Sequence, residues 1–145
     1  MTKAPLPVMT KGEVIAFLEH DFPQISQGDM AMQVEAVGPM TCRMRMPFHE
    51  RYLRPGGTIS GPSMFALADV SLYVAILAQI GPVALTVTTS LNINFLKKPG
   101  HRDMIAKCRL LKLGRRLAVG EVTLFSDGSE DVVAHATGTY SIPAA

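Results

Sequence analysis

Asp69 is the residue whose type and setting most call for a chemical explanation. Between Gly61 and Leu96 the chain holds no other Asp, Glu, Lys, Arg or His, and Asp69 stands inside the apolar run FALADVSLYVAILAQI. Keeping a lone carboxylate ionised in apolar surroundings costs on the order of several kcal/mol. Such a group is either matched structurally by a partner distant in sequence or retained for chemistry. The residues upstream add to the chemical reading. Ser60-Gly61-Pro62 reads as the start of a helix, with Pro62 in the first turn, where its missing N–H costs nothing, and Ser60 or Gly61 as the cap. Gly61 precedes Asp69 by eight residues, about two helical turns. Free amides at a helix N-terminus form a site for an anion or a developing oxyanion. One helix therefore offers both a donor site and a carboxylate base.

Other chemistry-bearing residues are less suggestive. His20, His49, His101 and His135 are scattered without metal-ligand spacing, so no metal is expected. His135 reads as an ordinary strand histidine, and His49, just before the glycine-rich turn, is the one to follow. Cys42 and Cys108 lack a CxxC spacing, which suits a reducing compartment and no disulfide framework. Cys42, Met44 and Met46 alternate with Arg43 and Arg45. The methionines read as flexible core filler, since no nearby His or Cys completes a metal site. Ser60 reads as a cap rather than a nucleophile because no His lies close in sequence.

These residues need elements to position them. The stretch from Arg54 to Ile80 opens with a glycine-rich turn and continues as a helix that is apolar around nearly its whole circumference, hence central and buried. Before it, residues 1–9 form a loose lead, and Thr10-Lys11-Gly12-Glu13 has the form of a capping box opening a short helix that stops by Pro23. Met30–Val37 and Thr41–Met46 read as two strands joined by Gly38-Pro39. After Gly81-Pro82 a long strand sets Leu85, Val87, Leu91, Ile93 and Phe95 on one face, with Thr86, Thr88, Ser90, Asn92 and Asn94 on the other. That polar face lacks charge, which suits an interface or a pocket better than plain solvation. Met104–Leu113, Leu117–Phe125 and Val132–Ile142 complete a meander of four strands. The last strand carries small side chains on one face, where a helix can pack closely. The fold class is α+β, an antiparallel sheet wrapped around a long central helix, in a single domain spanning residues 1–145.

The totals exclude several functions. A net charge of +2 in 145 residues is too small to argue for nucleic acid, and no basic run with interleaved aromatics occurs. The opening residues MTKAPLPVMTKGE hold no signal-type apolar core. The apolar run from Met64 to Ile80 is short for a membrane span, and Asp69 within it would cost about 2.5–3.5 kcal/mol. A cytoplasmic protein without membrane or nucleic-acid partners is the expectation.

Several pieces, in order and spacing, resemble the hotdog-fold acyl-CoA thioesterases, in the branch of the phenylacetate-pathway and THEM-type enzymes. They are PGGTISGP, Phe65-Ala66-Leu67-Ala68-Asp69, Asn92-Ile93-Asn94-Phe95-Leu96, Gly114-Arg115-Arg116-Leu117 and Ala136-Thr137-Gly138-Thr139-Tyr140. The resemblance implies a homodimer, often paired further into a tetramer, with helices side by side and active sites built from both subunits. It implies Asp69 as general base or nucleophile on the thioester carbonyl, the Gly61 amide as oxyanion donor and Thr88 as a water-placing hydroxyl. Lys98, Arg115 and Arg116 would meet the nucleotide phosphates, or be plain solvated turns. No cofactor is implied. Three positions depart from the family pattern: Arg54 replaces an Asn, Ser60 a His and Pro62 a Gly. Arg54 would then either face Asp69 of the other subunit or bind a carboxylate on the acyl group.

Three functions follow from this reading. The first is a thioesterase acting on a small or medium acyl-CoA. The second is a non-catalytic acyl-CoA binding or sensing protein that keeps the pocket without turnover. A hotdog dehydratase ranks last, since it needs an Asp–His pair that the sequence does not reveal.

Overall fold

The computed structural model describes residues 4–27 and 31–144. Helix α1 (Lys11–Asp21) starts at the predicted capping box: Thr10 Oγ1 accepts from the Glu13 amide, and the Glu13 carboxylate accepts from the Thr10 amide. It buries Val14 and Leu18. A one-turn helix α2 (Gln24–Gln27) follows Pro23 and has no counterpart in the sequence reading. The lead ahead of α1 is anchored, because the amides of Val8 and Met9 both donate to the Ala78 carbonyl, at 2.8 and 3.0 Å.

Strands β1 (Gln33–Gly38) and β2 (Thr41–Met46) form the first hairpin. The proposed first strand residue, Met30, lies outside the described residues. Along β2, Cys42, Met44 and Met46 are buried while Arg43 and Arg45 face outward, as the alternation predicts. Helix α3 (Gly61–Ile80) comes next, then β3 (Val87–Phe95), β4 (Met104–Leu113), β5 (Leu117–Ser126) and β6 (Ala134–Ser141). All six strands form one antiparallel sheet in the order β1-β2-β4-β5-β6-β3. The sequence placed β3 first in a meander of four strands. Instead β4, β5 and β6 form the meander, and β3 crosses to the far side of β6, where it is an edge strand.

Helix α3 packs against all six strands of the sheet and is the core's centre, with Leu67, Leu72 and Leu77 fully buried. It is long and apolar enough to cross a membrane, yet its most apolar window is 72% buried within this fold. Close helix–sheet contact rests on two glycines. A Cβ at Gly120 or Gly138 would come within 2.6 Å of the Leu72 side chain. The sheet thus leaves room for a large helical side chain by omitting its own. Cys42 and Cys108 are register partners across β2 and β4, and both thiols are free.

Strand β3 carries a bulge. Thr88 pairs with Tyr140 and Ser90 with Thr139, so Thr89 is the extra residue. A one-residue insertion moves every following side chain to the opposite face. Thr88 therefore shares the helix-facing side with Leu91, Ile93 and Phe95, while Ser90, Asn92 and Asn94 point outward. Strict alternation had grouped Thr88 with Ser90, Asn92 and Asn94 on one face, and the bulge sets it on the opposite face from them.

Candidate functional site

The start of α3 is set by a tight hairpin. Leu53 bridges Ile59, the Arg54 amide donates to the Thr58 carbonyl, and Gly56 and Gly57 make the turn with φ of 100° and 79°. Such left-handed backbone suits glycine, which has no Cβ to clash. The Ser60 amide then donates to the Tyr52 carbonyl and fixes the helix entry. Ser60 is the N-cap: its Oγ accepts from the Ser63 amide at 3.3 Å and lies 2.8 Å from Ser63 Oγ. The opening amides of the helix can be counted. Pro62 has none, that of Ser63 goes to the cap, and that of Met64 goes to the Ser60 carbonyl. The Gly61 N–H has no partner among the described residues. The helix therefore ends in one free donor at the positive end of its dipole.

The ring of Phe95 lies over Gly61. A Cβ on Gly61 would stand 3.2 Å from Phe95 Cζ. Arg54, Gly61, Phe95 and Lys98 line one cavity of about 520 Å³. Both cations are exposed.

Asp69 occupies a different cavity, of about 510 Å³, with Thr86, Thr88, Tyr73 and Tyr140 on its wall. The carboxylate is half-buried and well partnered, contrary to the isolation its sequence neighbours suggest. The Thr88 hydroxyl donates to Asp69 Oδ1 at 2.6 Å. The Tyr140 hydroxyl lies 2.6 Å from the same oxygen and 2.7 Å from the Asp69 carbonyl. Both partners arrive from strands distant in sequence. Oδ2 makes no hydrogen bond among the described residues, so one carboxylate oxygen is anchored and the other is available. Burial, then the Asp69 charge and the hydrogen bond to it, push the Tyr140 phenol far above its ordinary value, so it stays a neutral donor.

The structure thus joins Asp69 with Thr88 and adds Tyr140, which the sequence reading quoted in a motif without giving it a role. Its signal was available: Tyr140 is the one large polar side chain on a strand face otherwise made of Ala134, Ala136 and Gly138. The structure does not bring Asp69 to Gly61 or Arg54 within one chain. Pro62 lines a third cavity, beside Met46 and Tyr52. The basic residues are divided. Lys98 lies beyond the Phe95 end of β3, whereas the turn holding Arg115 and Arg116 lies at the Val87 end, where Leu117 pairs with Ser141 and Ser141 with Val87. His49 caps a short 3-10 turn, its Nδ1 accepting from the Arg51 amide, and His135 stands 3.8 Å from Glu121 on the outer sheet face.

An antiparallel six-stranded sheet around a long central helix is the hotdog fold. The model of the thioesterase superfamily matches residues 56–133, more than half of the chain, and the chain belongs to that family. It is similar to a protein of Silicibacter sp. TM1040 assigned as a thioesterase: 52% identity, 95% of this chain and 94% of that one covered, TM-score 0.86. A relative from Saccharolobus solfataricus assigned as an esterase is 25% identical over 135 residues, 93% of this chain and 81% of its own length. A phenylacetic acid degradation-related protein of Ralstonia eutropha JMP134, assigned as a thioesterase, shares the fold at 24% identity and TM-score 0.75, with 83% of this chain and 90% of that one covered.

Proposed function

We propose that the protein hydrolyses acyl-CoA thioesters at two composite sites of a homodimer, each taking its base from one subunit and its oxyanion donor from the other. Relatives assigned as thioesterases and esterases support a thioester hydrolase. The observation that carries the composite site is a separation. Gly61 and Asp69 are eight residues apart on one helix, a rise of about 12 Å, whereas one reacting carbonyl must lie about 3 Å from the amide and no more than one water away from the carboxylate. Within a single chain they also line different cavities.

Strand β3 supplies the remedy. It is an edge strand with an unpaired side, and Val87 and Phe95 at its two ends are each 51% exposed. An uncovered edge of this length is a template for pairing. Antiparallel pairing of β3 with its own copy about a two-fold axis sets the Val87 end beside the partner's Phe95 end. Asp69 and Thr88 of one subunit then approach the partner subunit's Gly61. The same operation gathers Arg115 and Arg116 with the partner subunit's Lys98 into one cationic rim for the CoA phosphates. Further pairing of dimers into a tetramer is compatible with this arrangement.

The chemistry needs no cofactor. Asp69 Oδ2 takes a proton from a water, Thr88 helps hold that water, and the new hydroxide attacks the thioester carbonyl. The carbonyl oxygen becomes an oxyanion facing the partner subunit's Gly61 amide. Collapse breaks the C–S bond, and the leaving thiolate takes the proton from Asp69. The products are the free acid and CoA.

Release of free CoA from short, medium and aromatic acyl-CoAs tests the reading, with wild type beside Asp69→Asn. Turnover that collapses in the variant while acyl-CoA still binds is the expected result. One observation favours the non-catalytic alternative: the Phe95 ring crowds Gly61, the proposed donor. Tight binding without turnover by wild type on every member would sink hydrolysis for those substrates and favour that alternative.

A further inference from the structure

The turn that carries Arg54 toward α3 is thinly held. Inside it, the Arg54 amide donates to the Thr58 carbonyl at 2.8 Å and the Gly57 amide to the Arg54 carbonyl at 2.9 Å. Gly56 and Gly57 are exposed, and a Cβ built on either would meet nothing within 4 Å. Among the described residues, one hydrogen bond ties residues 54–58 to another part of the chain: His101 Nε2 donates to the Gly57 carbonyl at 2.5 Å. His101 is itself well seated. Its ring stacks on Phe48, with centroids 5.2 Å apart and planes 20° from parallel. The loop between β3 and β4 that bears it is fixed along its length. Pro99 is buried, and the Gly100 amide donates to Ser126 Oγ at 3.1 Å. Asp103 accepts from the Phe48 amide at 2.7 Å and from Arg45 Nη1 at 2.8 Å. The cavity over Gly61 takes Lys98 and Pro99 from this fixed loop and Arg54 and Thr58 from the loose turn. His101 stands behind the cavity, at the one join between the two.

We infer that His101 is a positioning residue for acyl-CoA: through Gly57 it pins the loose turn to the fixed loop and so sets Arg54 at the cavity over Gly61. The inference rests on the acyl-CoA reading of that cavity and adds the residue that places one of its cations. A carbonyl acceptor requires a hydrogen on Nε2, which both the neutral Nε2–H tautomer and the imidazolium supply. Stacking on Phe48 holds the ring before the hydrogen bond forms, so little side-chain freedom is lost in making it. Without that bond the two glycines open a wide range of backbone conformations to the tip. The pairing of Arg54 with Thr58 then frays, and the Arg54 side chain is spread over many positions. Binding an anion must then supply the ordering that His101 otherwise provides in advance. Because His101 acts only through Arg54, its removal costs no more than the removal of Arg54 itself.

The test reads binding apart from turnover. The S-propyl thioether of CoA, which has no carbonyl to hydrolyse, is titrated calorimetrically into the full chain at low and at high salt. His101→Phe keeps a ring against Phe48 and loses the donor. At low salt it should raise the dissociation constant about threefold, the same size as the effect of Arg54→Ala. His101→Gln, whose amide nitrogen can donate from near the place of Nε2, should restore the affinity of wild type. In the Arg54→Ala background His101→Phe should add nothing, and in the wild-type background its effect should fade as salt rises. Hydrogen exchange at the Arg54 and Gly57 amides should quicken about fivefold in His101→Phe and slow again in His101→Gln. Plain structural damage would instead add to the loss in Arg54→Ala and persist at high salt. Unchanged affinity or unchanged exchange in His101→Phe would overturn the inference. So would a loss that survives in the Arg54→Ala background or that His101→Gln leaves unrepaired. Hydrolysis of propionyl-CoA is measured in parallel. Coupled binding without hydrolysis would sink the catalytic reading and leave the role of His101 standing. Hydrolysis without the coupling would do the reverse, and a protein that neither binds nor hydrolyses would end both.

Discussion

The two ends of the site obey opposite rules. Around Asp69 the chain completes its own hydrogen bonding: Thr88 from β3 and Tyr140 from β6 both reach the carboxylate. Around Gly61 the chain leaves an amide unpaired, a phenyl ring half exposed and two cations unburied. A group satisfied within its own chain is ready before anything binds, and electrostatic catalysis depends on that readiness. A group left unsatisfied at the surface is a place where something else must arrive. The contrast separates the half preorganised by folding from the half that, in the proposed dimer, is finished by assembly and substrate.

The sharpest break in the comparison comes at the preorganised end. Asp69→Asn keeps the size of the side chain and both hydroxyl neighbours but removes the proposed base. Steady-state kinetics should show kcat falling by about 10²–10⁴-fold with KM little changed. A fall in affinity with kcat preserved would mean that Asp69 holds substrate rather than activating water.

The unfinished end is tested by assembly. Gly61→Val places a branched side chain where a Cβ alone would already stand 3.2 Å from Phe95. It should cost roughly 10²-fold by closing the approach to the amide. Co-expression with Asp69→Asn then separates a composite site from a single-chain one. With random pairing half of the dimers are hybrids, and each hybrid has one site with both residues intact. Activity should recover to about a quarter of wild type. Recovery that stays at the level of the parents would place both residues of each site in one chain.

A smaller effect belongs to the cations beside Gly61. Arg54→Ala and Lys98→Ala should each raise KM about threefold, and the effect should fade as salt rises, because both side chains are exposed and screened. A change in kcat instead, insensitive to salt, would bring Arg54 to the reacting centre.

The same contrast explains what could be read without coordinates. The Gly61 end was legible because it is local. Ser60, Gly61 and Pro62 act within one turn, so capping rules apply to them directly, and the Thr10–Glu13 box was legible for the same reason. Asp69 was legible as an anomaly, but its partners were not. Tyr140 lies 71 residues away, and its meeting with Asp69 depends on β6 pairing with β3 rather than on any local pattern. Thr88 was named from family likeness while its face was misassigned, since a single extra residue at Thr89 inverts the parity of the strand. The edge position of β3 was equally hidden. Alternation describes the two faces of a strand and carries nothing about its neighbours.

The finest test asks whether the Asp69 end is as closed as it looks, and it uses pH. Burial first, then the Asp69 charge, hold the Tyr140 phenol far above its ordinary value, near 10 in an unfolded chain. The folded state therefore grips this proton more tightly than the unfolded state does. Tyr140 contributes its full share of stability below about pH 10, and that share is lost as pH rises further and the unfolded chain ionises first. The Tm of wild type should drop steeply above that point. Tyr140→Phe should start lower, having lost a hydrogen bond worth about 1 kcal/mol, yet descend less steeply. Some slope must remain, because burial and the nearby Asp21 raise the Tyr73 phenol as well. Turnover should show no alkaline loss from Tyr140 between neutrality and the unfolding limb, because a phenol that keeps its proton keeps donating to Asp69. Parallel melting curves for the two proteins across the alkaline range would mean that water reaches Tyr140, and that the Asp69 end is as open as the Gly61 end.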